Sequence, residues 1–319
     1  MVQVNELQNL ARVHLPVYGQ LKEHVSFSEL RLFKECAWKW FLTKVAGHAP
    51  TDRSFQMDFG KAVHSGMEML YGPDGGDADR AHAHALSLYE EALSTIGELH
   101  PTDQKEADRL RGYILPKMFH DCLNSPDLQG IRPLKSELQL MEQIMRTDGL
   151  NVKFKGFIDF LFVKKLKTKT VIYIADFKTC QWGWPASKLQ DIEVISQILL
   201  YKHFFCKLTG ADPKNVTAAF ILLKKKPKRT SPKGVLPEVF DLSVEVLKVG
   251  AGPKATERAL EYLQSSISGM HSYSYDRNFK ACVRSWTDQE TKEERMVSCP
   301  FMGTDLCPTP PVSSEQTPG

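Results

Sequence analysis

Two aspartates and a lysine in the middle of the chain have the spacing of a catalytic group. Asp176 and Lys178 are two positions apart in VIYIADFKT, so a strand places them on one face. If the segment around Asp159 is the other arm of a hairpin, Asp159 and Asp176 become cross-strand neighbours, because the hairpin is then centred between Lys167 and Thr168. Two carboxylates this close repel unless a cation such as Mg²⁺ or Mn²⁺ lies between them. Lys178 could then orient a water molecule or stabilise a phosphorane-like transition state.

The alternative is a polar strand face, on which Asp176 and Lys178 form an ordinary salt bridge of little energetic value. Asp176, however, directly follows the apolar run 171–175, which is typical of a strand buried on both faces. Solvation does not explain a charge at the end of such a strand, so the run favours the catalytic interpretation.

Further motifs stand in order around this group, after the aromatic-rich opening SFSELRLFKECAWKWFLTKV. They are Gly60 with His64, Gly156 with Ile158 and Asp159, Asp176 with Phe177 and Lys178, and Gln197 with Tyr201. With these motifs, residues 26 to 308 resemble the PD-(D/E)XK nucleases, specifically the RecB-like exonuclease branch. That branch includes the AddB nuclease domain, the CRISPR-associated RecB-like exonucleases and many phage relatives.

The resemblance implies a role for each matched residue. The implied ligands of one or two Mg²⁺ or Mn²⁺ ions are His64, Asp159, Asp176 and the backbone carbonyl oxygen of Phe177. Lys178 is then the catalytic lysine, and Gln197 and Tyr201 are expected to contact DNA near the scissile phosphate.

Each of these residues also has a plain structural explanation. His64 shares a helix face with Glu68 and could be an ordinary satisfied histidine. Gln197 and Tyr201 also share a face and could be a helix edge that hydrogen-bonds to the sheet. Glu137, on the strand before that of Asp159, could be a fourth metal ligand or support the other ligands, although strand glutamates are usually solvated.

One early cysteine and three late cysteines form a second candidate site: Cys36, Cys282, Cys299 and Cys307. Some RecB-like members bind a [4Fe-4S] cluster with one early and three late cysteines, and thiolate-only ligation suits an iron–sulfur cluster or zinc. The late cysteines are farther apart here than is typical of the family, and the intervening VRSWTDQETKEERMVS could be an inserted hairpin. Four unrelated thiols are the alternative.

A basic segment near the centre of the second half could contact a phosphate backbone. KKKPKRTSPK holds six basic residues and no acid, and five of them are candidate DNA contacts: Lys224, Lys225, Lys226, Lys228 and Arg229. A solvated hairpin tip explains the run equally well. Trp182 and Trp184 could stack on unpaired bases or close the core.

Periodicity predicts the elements that must position these residues. Helices are expected in 27–45, 59–72, 77–98, 103–123, 187–208 and 254–268, and strands in 134–147, 151–164, 170–178, 217–226 and 238–249. Because helices precede three strands, a helix, two strands and a helix, we expect a mixed α/β fold. Its central mixed sheet would be flanked by helices, a restriction-endonuclease-like core with a helical N-terminal subregion. The domains predicted are an arm over 1–24, the nuclease domain over 25–309 and a disordered tail over 310–319.

Composition narrows the class of protein but identifies no partner. The 319 residues carry a net charge of +3, no signal-peptide pattern and no membrane-length apolar stretch, and the cysteines are too sparse for a disulfide scaffold. We therefore expect a cytoplasmic protein, or a nuclear one in a eukaryotic host.

Together with the resemblance, the function expected is a Mg²⁺- or Mn²⁺-dependent exonuclease on single-stranded or end-containing DNA, in recombination, repair or phage DNA metabolism. The alternatives are a non-catalytic nucleic-acid-binding module and a nuclease subunit that depends on a helicase or annealing partner.

Overall fold

The computed structural model describes residues 24–48, 54–72, 74–147, 150–167, 169–227, 240–271, 275–287 and 294–307. The contacts divide the chain into two units. The described residues of the first, the sheet unit, are 24–27 and 54–265, and those of the second, the terminal unit, lie in 28–48 and 266–307. The predicted arm over 1–24, except for its last residue, and the tail over 310–319 lie outside the described residues.

The sheet unit is built on a six-stranded mixed sheet. Its strands are β1 (His24–Ser26), β2 (Ile131–Thr147), β3 (Leu150–Lys165), β4 (Thr170–Cys180), β5 (Val216–Pro227) and β6 (Phe240–Lys248). Their order is β1-β3-β4-β5-β6, and β2 pairs with β3. The pairs β1–β3 and β4–β5 are parallel and the others are antiparallel. The five predicted strands are therefore all present, within three residues at each end.

The hairpin of β3 and β4 has the predicted register. Phe160 pairs with Ala175 and Lys165 with Thr170, so the hairpin is centred between Lys167 and Thr168. The centre falls in the segment of lysines and threonines that separates the two apolar strands, where the sequence predicts the turn.

The partners of β3 change along its length, and this change creates room for a site. On one edge, β3 pairs with β1 over 153–155 and with β4 over 160–165. In the described chain, no strand pairs with this edge over 156–159. Gly156 and Asp159 therefore lie at the first and last positions of an opening in the sheet.

Helices cover the sheet unit in the predicted segments, with two corrections: a π-helical segment, Leu110–Ile114, interrupts the helix predicted over 103–123, and the helix predicted over 187–208 begins later than expected. They are α3 (Phe55–Tyr71), α4 (Ala78–Thr95), α5 (Pro101–Arg109), α6 (Leu115–Asn124), α7 (Ile192–Thr209) and α8 (Pro253–Met270), the last of which extends into the terminal unit. The prediction that α7 begins near Ser187 is wrong. A 3₁₀ helix occupies Ala186–Leu189, and Asp191 caps α7 by accepting the Glu193 N–H at 2.9 Å.

Aromatic packing joins the two separate segments of the terminal unit. The early segment holds α1 (Phe27–Glu35, whose first residue belongs to the sheet unit) and α2 (Ala37–Trp40), and the late one holds α9 (Phe279–Cys282), β7 (Val283–Thr287) and β8 (Glu294–Ser298). Trp38 Nε1 donates to the Leu306 carbonyl at 2.9 Å, and Tyr275 stacks on Phe41. The antiparallel pair β7–β8 confirms the hairpin predicted between Cys282 and Cys299.

Among the described residues, no helix combines the length and the apolar character that crossing a membrane requires.

Two glycines of α3 should respond oppositely to the same substitution. A Cβ at Gly66 would lie 2.5 Å from Cε1 of the buried Phe119, whereas at Gly60 it would meet only Thr179 Oγ1 at 4.0 Å. We expect Gly66→Ala to lower the free energy of unfolding by about 1–3 kcal/mol through overpacking. Gly60→Ala should raise it by about 0.5–1 kcal/mol, because alanine favours the helix. Urea unfolding measures both, and equal effects would contradict this packing.

Candidate active site and cysteine cluster

Asp159 lies where β3 and β4 separate, and its carboxylate links them. The last ladder pair before the opening is Phe160 with Ala175. Beyond it, Asp159 Oδ2 accepts the Phe177 N–H at 3.1 Å. A side chain thus replaces the backbone as the link between the strands and holds Asp159 beside the end of β4.

Helix α3 brings His64 to the same carboxylate oxygen. His64 Nδ1 lies 3.2 Å from Asp159 Oδ2. Burial alone would lower the pKa of His64, but the hydrogen bond and the negative charge of Asp159 outweigh it and raise the pKa. The edge of the imidazole also packs on the Phe177 ring, with centroids 6.4 Å apart. The helix therefore contributes an oriented imidazole to the opening.

Asp176 is a buried carboxylate with an incomplete set of partners. Its side chain is 1% exposed, and Oδ2 lies 2.5 Å from Lys178 Nζ. Among the described residues, Oδ2 has no donor in hydrogen-bonding geometry. Burial, followed by the negative charge of Asp159, raises the pKa of Asp176 to about 6, although Lys178 and His64 oppose the shift. A divalent cation beside Asp176 would favour its ionised form more strongly than Lys178 does alone.

The donors at the opening suit a divalent cation. Two carboxylates and an imidazole, from Asp159, Asp176 and His64, are a ligand set for a hard ion such as Mg²⁺ or Mn²⁺. In the part of the chain that the structure describes, no group of three or more His, Cys, Asp or Glu side chains is already arranged as a metal site. The chemistry of the donors, together with the poorly partnered oxygen of Asp176, therefore carries the argument for the ion.

Glu137 faces this group from β2 with an unusual backbone. The pairs Ser136–Phe160 and Leu138–Ile158 flank it, so it stands opposite Asp159. Its φ is +49°, a left-handed conformation that costs a non-glycine residue about 1–3 kcal/mol. Burial and then the charge of Asp159 raise the pKa of Glu137. The strain is a local feature that strand alternation could not reveal.

Gln197 and Tyr201 share the predicted face of α7 and contact each other. Gln197 Nε2 donates to Tyr201 Oη at 3.3 Å. The Tyr201 ring is buried against Phe154 and over Gly156, where a Cβ would lie 2.5 Å from Cε1. Burial, more than any charge, raises the pKa of the Tyr201 hydroxyl. Gly156 thus makes room for Tyr201, and contact of either α7 residue with DNA stays a prediction.

The three described candidates of the basic segment differ in their environment: Lys224 and Lys225 have partners, and Lys226 is exposed. Lys224 Nζ donates to Glu245 at 2.9 Å. Lys225 lies over the Phe59 ring and 3.9 Å from Glu106, and burial lowers its pKa. Lys226 is exposed. The remaining two candidates, Lys228 and Arg229, lie outside the described residues.

The two tryptophans after β4 have different environments. Trp184 packs on Phe220 with centroids 4.8 Å apart, and Lys188 Nζ lies 4.2 Å from its ring centroid. Trp182 is 54% exposed. Trp184 therefore packs against the sheet, and Trp182 is the tryptophan available to a ligand.

The four candidate cysteines all lie in the terminal unit, although no three of them are already arranged as a metal site among the described residues. Cys299 donates its backbone N–H to the Cys282 carbonyl at 2.6 Å. Burial, followed by the charges of Cys299, Cys36 and Cys307, raises the pKa of the Cys282 thiol to about 11. Each of the other three thiols is therefore close enough to Cys282 to affect its titration. The β7–β8 hairpin accounts for the long spacing between Cys282 and Cys299.

The metal hypothesis predicts how the Asp176→Asn substitution changes stability. Because folding raises the pKa of Asp176 to about 6, its contribution to stability is full below the unfolded pKa, near 4, and is lost as the pH rises through 6. In EDTA above pH 7, Asp176→Asn should therefore unfold at a higher temperature than the wild type. Mg²⁺ should raise the unfolding temperature of the wild type and not that of the variant.

Asp79→Asn is the control, because Asp79 is 88% exposed and pairs with His120 on another helix. The control should keep the response to Mg²⁺. Equal Mg²⁺ responses in wild type and Asp176→Asn would contradict the metal site.

Comparison with known proteins identifies the family to which this site belongs. The family model of the PD-(D/E)XK nuclease superfamily matches residues 24–307, nearly the whole chain. No curated protein matches the chain significantly. The mixed sheet flanked by helices agrees with the restriction-endonuclease-like core expected of that superfamily, whose members generally use divalent metal ions. With the matched range spanning both the Asp159–Asp176 opening and His64, the chain belongs to the PD-(D/E)XK nuclease superfamily.

Proposed function

We propose that the chain is a Mg²⁺- or Mn²⁺-dependent deoxyribonuclease of the RecB-like branch, an exonuclease on single-stranded or end-containing DNA. The observation that carries the proposal is the meeting of His64, Asp159, Asp176 and Lys178 at the opening between β3 and β4. The order of the motifs and the one-plus-three cysteines support the assignment to the branch.

Each residue has a task that follows from its position. His64, Asp159, Asp176 and the Phe177 carbonyl oxygen would hold the ion, which supplies Lewis-acid activation of water and of the phosphate. Asp159 orients His64 through its hydrogen bond and, through the Phe177 N–H, fixes the backbone that carries the carbonyl. Asp176 acts in its ionised form, and Lys178 and His64 favour that form.

Lys178 is the residue suited to the reacting phosphate. Its side chain is 33% exposed, whereas that of its partner Asp176 is 1% exposed. The ammonium group is thus accessible from the opening and held at its edge by Asp176. From there it can position the attacking water or neutralise charge that develops on the phosphate.

The Lys178→Ala substitution tests the nuclease proposal. We expect the variant to fold normally and to lose at least about 10²-fold in cleavage rate, the usual cost of removing one charge-stabilising donor. The measurement is digestion of end-labelled single- and double-stranded DNA with Mg²⁺, Mn²⁺ or EDTA.

Lys165→Ala is the matched control, because Lys165 is an exposed lysine at the end of β3, six residues beyond Asp159. It should cleave like the wild type. Retained cleavage in Lys178→Ala would remove Lys178 from the mechanism. If the folded wild type cleaves DNA with neither Mg²⁺ nor Mn²⁺, the result favours a non-catalytic nucleic-acid-binding module. Activity that appears only after a helicase or annealing protein is added favours a partner-dependent nuclease subunit.

A second part of the proposal is a [4Fe-4S] cluster, or zinc, on Cys36, Cys282, Cys299 and Cys307. Its support is the mutual electrostatic influence of the four thiols and the burial of three of them. A buried thiol whose pKa is raised stays protonated at neutral pH, whereas a bound metal would stabilise the thiolates. The site would join the two segments of the terminal unit covalently through the metal.

Anaerobic purification followed by iron, sulfide and zinc analysis tests this site. We expect metal in the wild type, and loss of metal and of terminal-unit stability in Cys282→Ser. Cys206→Ser is the control, since Cys206 is a buried thiol of α7 outside the set. Metal-free protein that remains fully folded would contradict the cluster.

A further inference from the structure

A cavity of about 740 Å³ lies in the sheet unit among α3, α4 and β2. Its volume falls in the range of small-ligand sites. Six of the residues that form its walls determine its chemistry: Glu68 and Met69 of α3, Arg80 and His84 of α4, and Leu134 and Lys135 of β2. The sequence did not single out this cavity, because its walls come from three elements that are distant along the chain.

The cavity adjoins the candidate active site. Ser65, which follows His64 in α3, and Ser136, which precedes Glu137 in β2, both line it. Glu68 lies one helical turn from His64. The negative charges of Asp159 and Glu68 both raise the pKa of Glu137. One end of the cavity is therefore formed by neighbours of the residues expected to hold the metal.

The walls carry cations without acidic partners. Among the described residues, neither Arg80 nor Lys135 has a carboxylate within ion-pair distance. By contrast, lysines such as Lys61 and Lys207 are paired. Ser65 Oγ lies 2.8 Å from His84 Nε2 and holds the imidazole at the wall. Two unpaired cations and an anchored imidazole favour an anion.

The carboxylates of the cavity leave room for that anion. Glu68 is one acidic residue of the lining, and its side chain is exposed to solvent. Asp74 is the other acidic residue of the lining. Among the described residues, the two carboxylates equal Arg80 and Lys135 in number, but neither lies within ion-pair distance of these cations, which therefore stay available to an anion.

An apolar wall complements the cations. Leu134 is 42% exposed on β2, although large apolar side chains are usually buried, and Met69 and Pro133 also line the cavity. An apolar surface of this kind can pack against the face of a nucleobase, while the cations suit its phosphate.

We propose that this cavity binds the terminal nucleotide of the DNA strand, next to the phosphodiester bond that is cut. Arg80 and Lys135 would contact its phosphate, and Leu134 and Met69 would contact its base. The inference rests on the proposed function, since it gives that nuclease a site for one nucleotide unit beyond the metal. Such a site would position a strand end and so favour exonucleolytic cleavage.

Equilibrium binding of thymidine 5′-monophosphate in EDTA tests the cavity without requiring cleavage. We expect saturable binding to the wild type, weaker binding of thymidine, and about a tenfold or greater loss of affinity in Arg80→Ala and in Lys135→Ala. Arg258→Ala, which removes an exposed arginine of α8 and the same charge, should bind like the wild type. Thymidine 3′-monophosphate as a second ligand reports which end of the strand the site accepts.

The outcomes separate this inference from the nuclease proposal. If nucleotide binding depends on Arg80 but the protein never cleaves DNA, the result supports the cavity as a nucleotide site and contradicts the nuclease proposal. The cavity proposal is wrong, and the nuclease proposal stands, if the wild type cleaves DNA but binds neither nucleotide. The cavity proposal is also wrong if Arg80→Ala, Lys135→Ala and Arg258→Ala bind the nucleotide with equal affinity.

Discussion

The arrangement of the active site depends on one carboxylate oxygen, Oδ2 of Asp159. It accepts the Phe177 N–H of β4 and contacts the His64 imidazole of α3. Two strands and a helix are thereby held together at the point where the backbone ladder between the strands ends. Without this oxygen, the opening in the sheet would have no fixed geometry, and the ligands on its two sides would not converge.

The same arrangement places negative charge around Asp176, a carboxylate that solvent hardly reaches. Asp176 is buried beside Asp159, and Glu137 adds a third carboxylate from a strained backbone. Lys178 and His64 only partly compensate for this charge. The fold carries the cost because Ile158, Phe160 and Phe177 pack into the core around the site. The electrostatic cost of the buried carboxylate is thus confined to the site, and it is the reason why the site attracts a cation.

Much of the fold was predictable because it depends on local patterns. The β3–β4 register follows from two apolar strands on either side of a turn of lysines and threonines, and it ends at Phe160 and Ala175, one residue short of Asp159 and Asp176. Features that depend on distant partners were not predictable. The charge run predicts an exposed Lys225, yet Phe59 and Glu106 cover it. Likewise, the left-handed Glu137 and the cavity beside it result from tertiary packing, which no spacing in the sequence records.

The terminal unit has a consequence for the order in which the chain folds. Its contacts join residues very far apart, such as Trp38 with Leu306 and Asn278 with Glu35, at separations of 268 and 243 residues. Contacts this distant require the closure of a very long loop, and during synthesis they cannot form until the last third of the chain has left the ribosome. The contacts within the sheet unit need none of the late residues. On the ribosome, the early aromatic segment must therefore wait, with Trp38 and Phe41 lacking their final partners, and this interval is when the nascent protein is most exposed to aggregation and to chaperones.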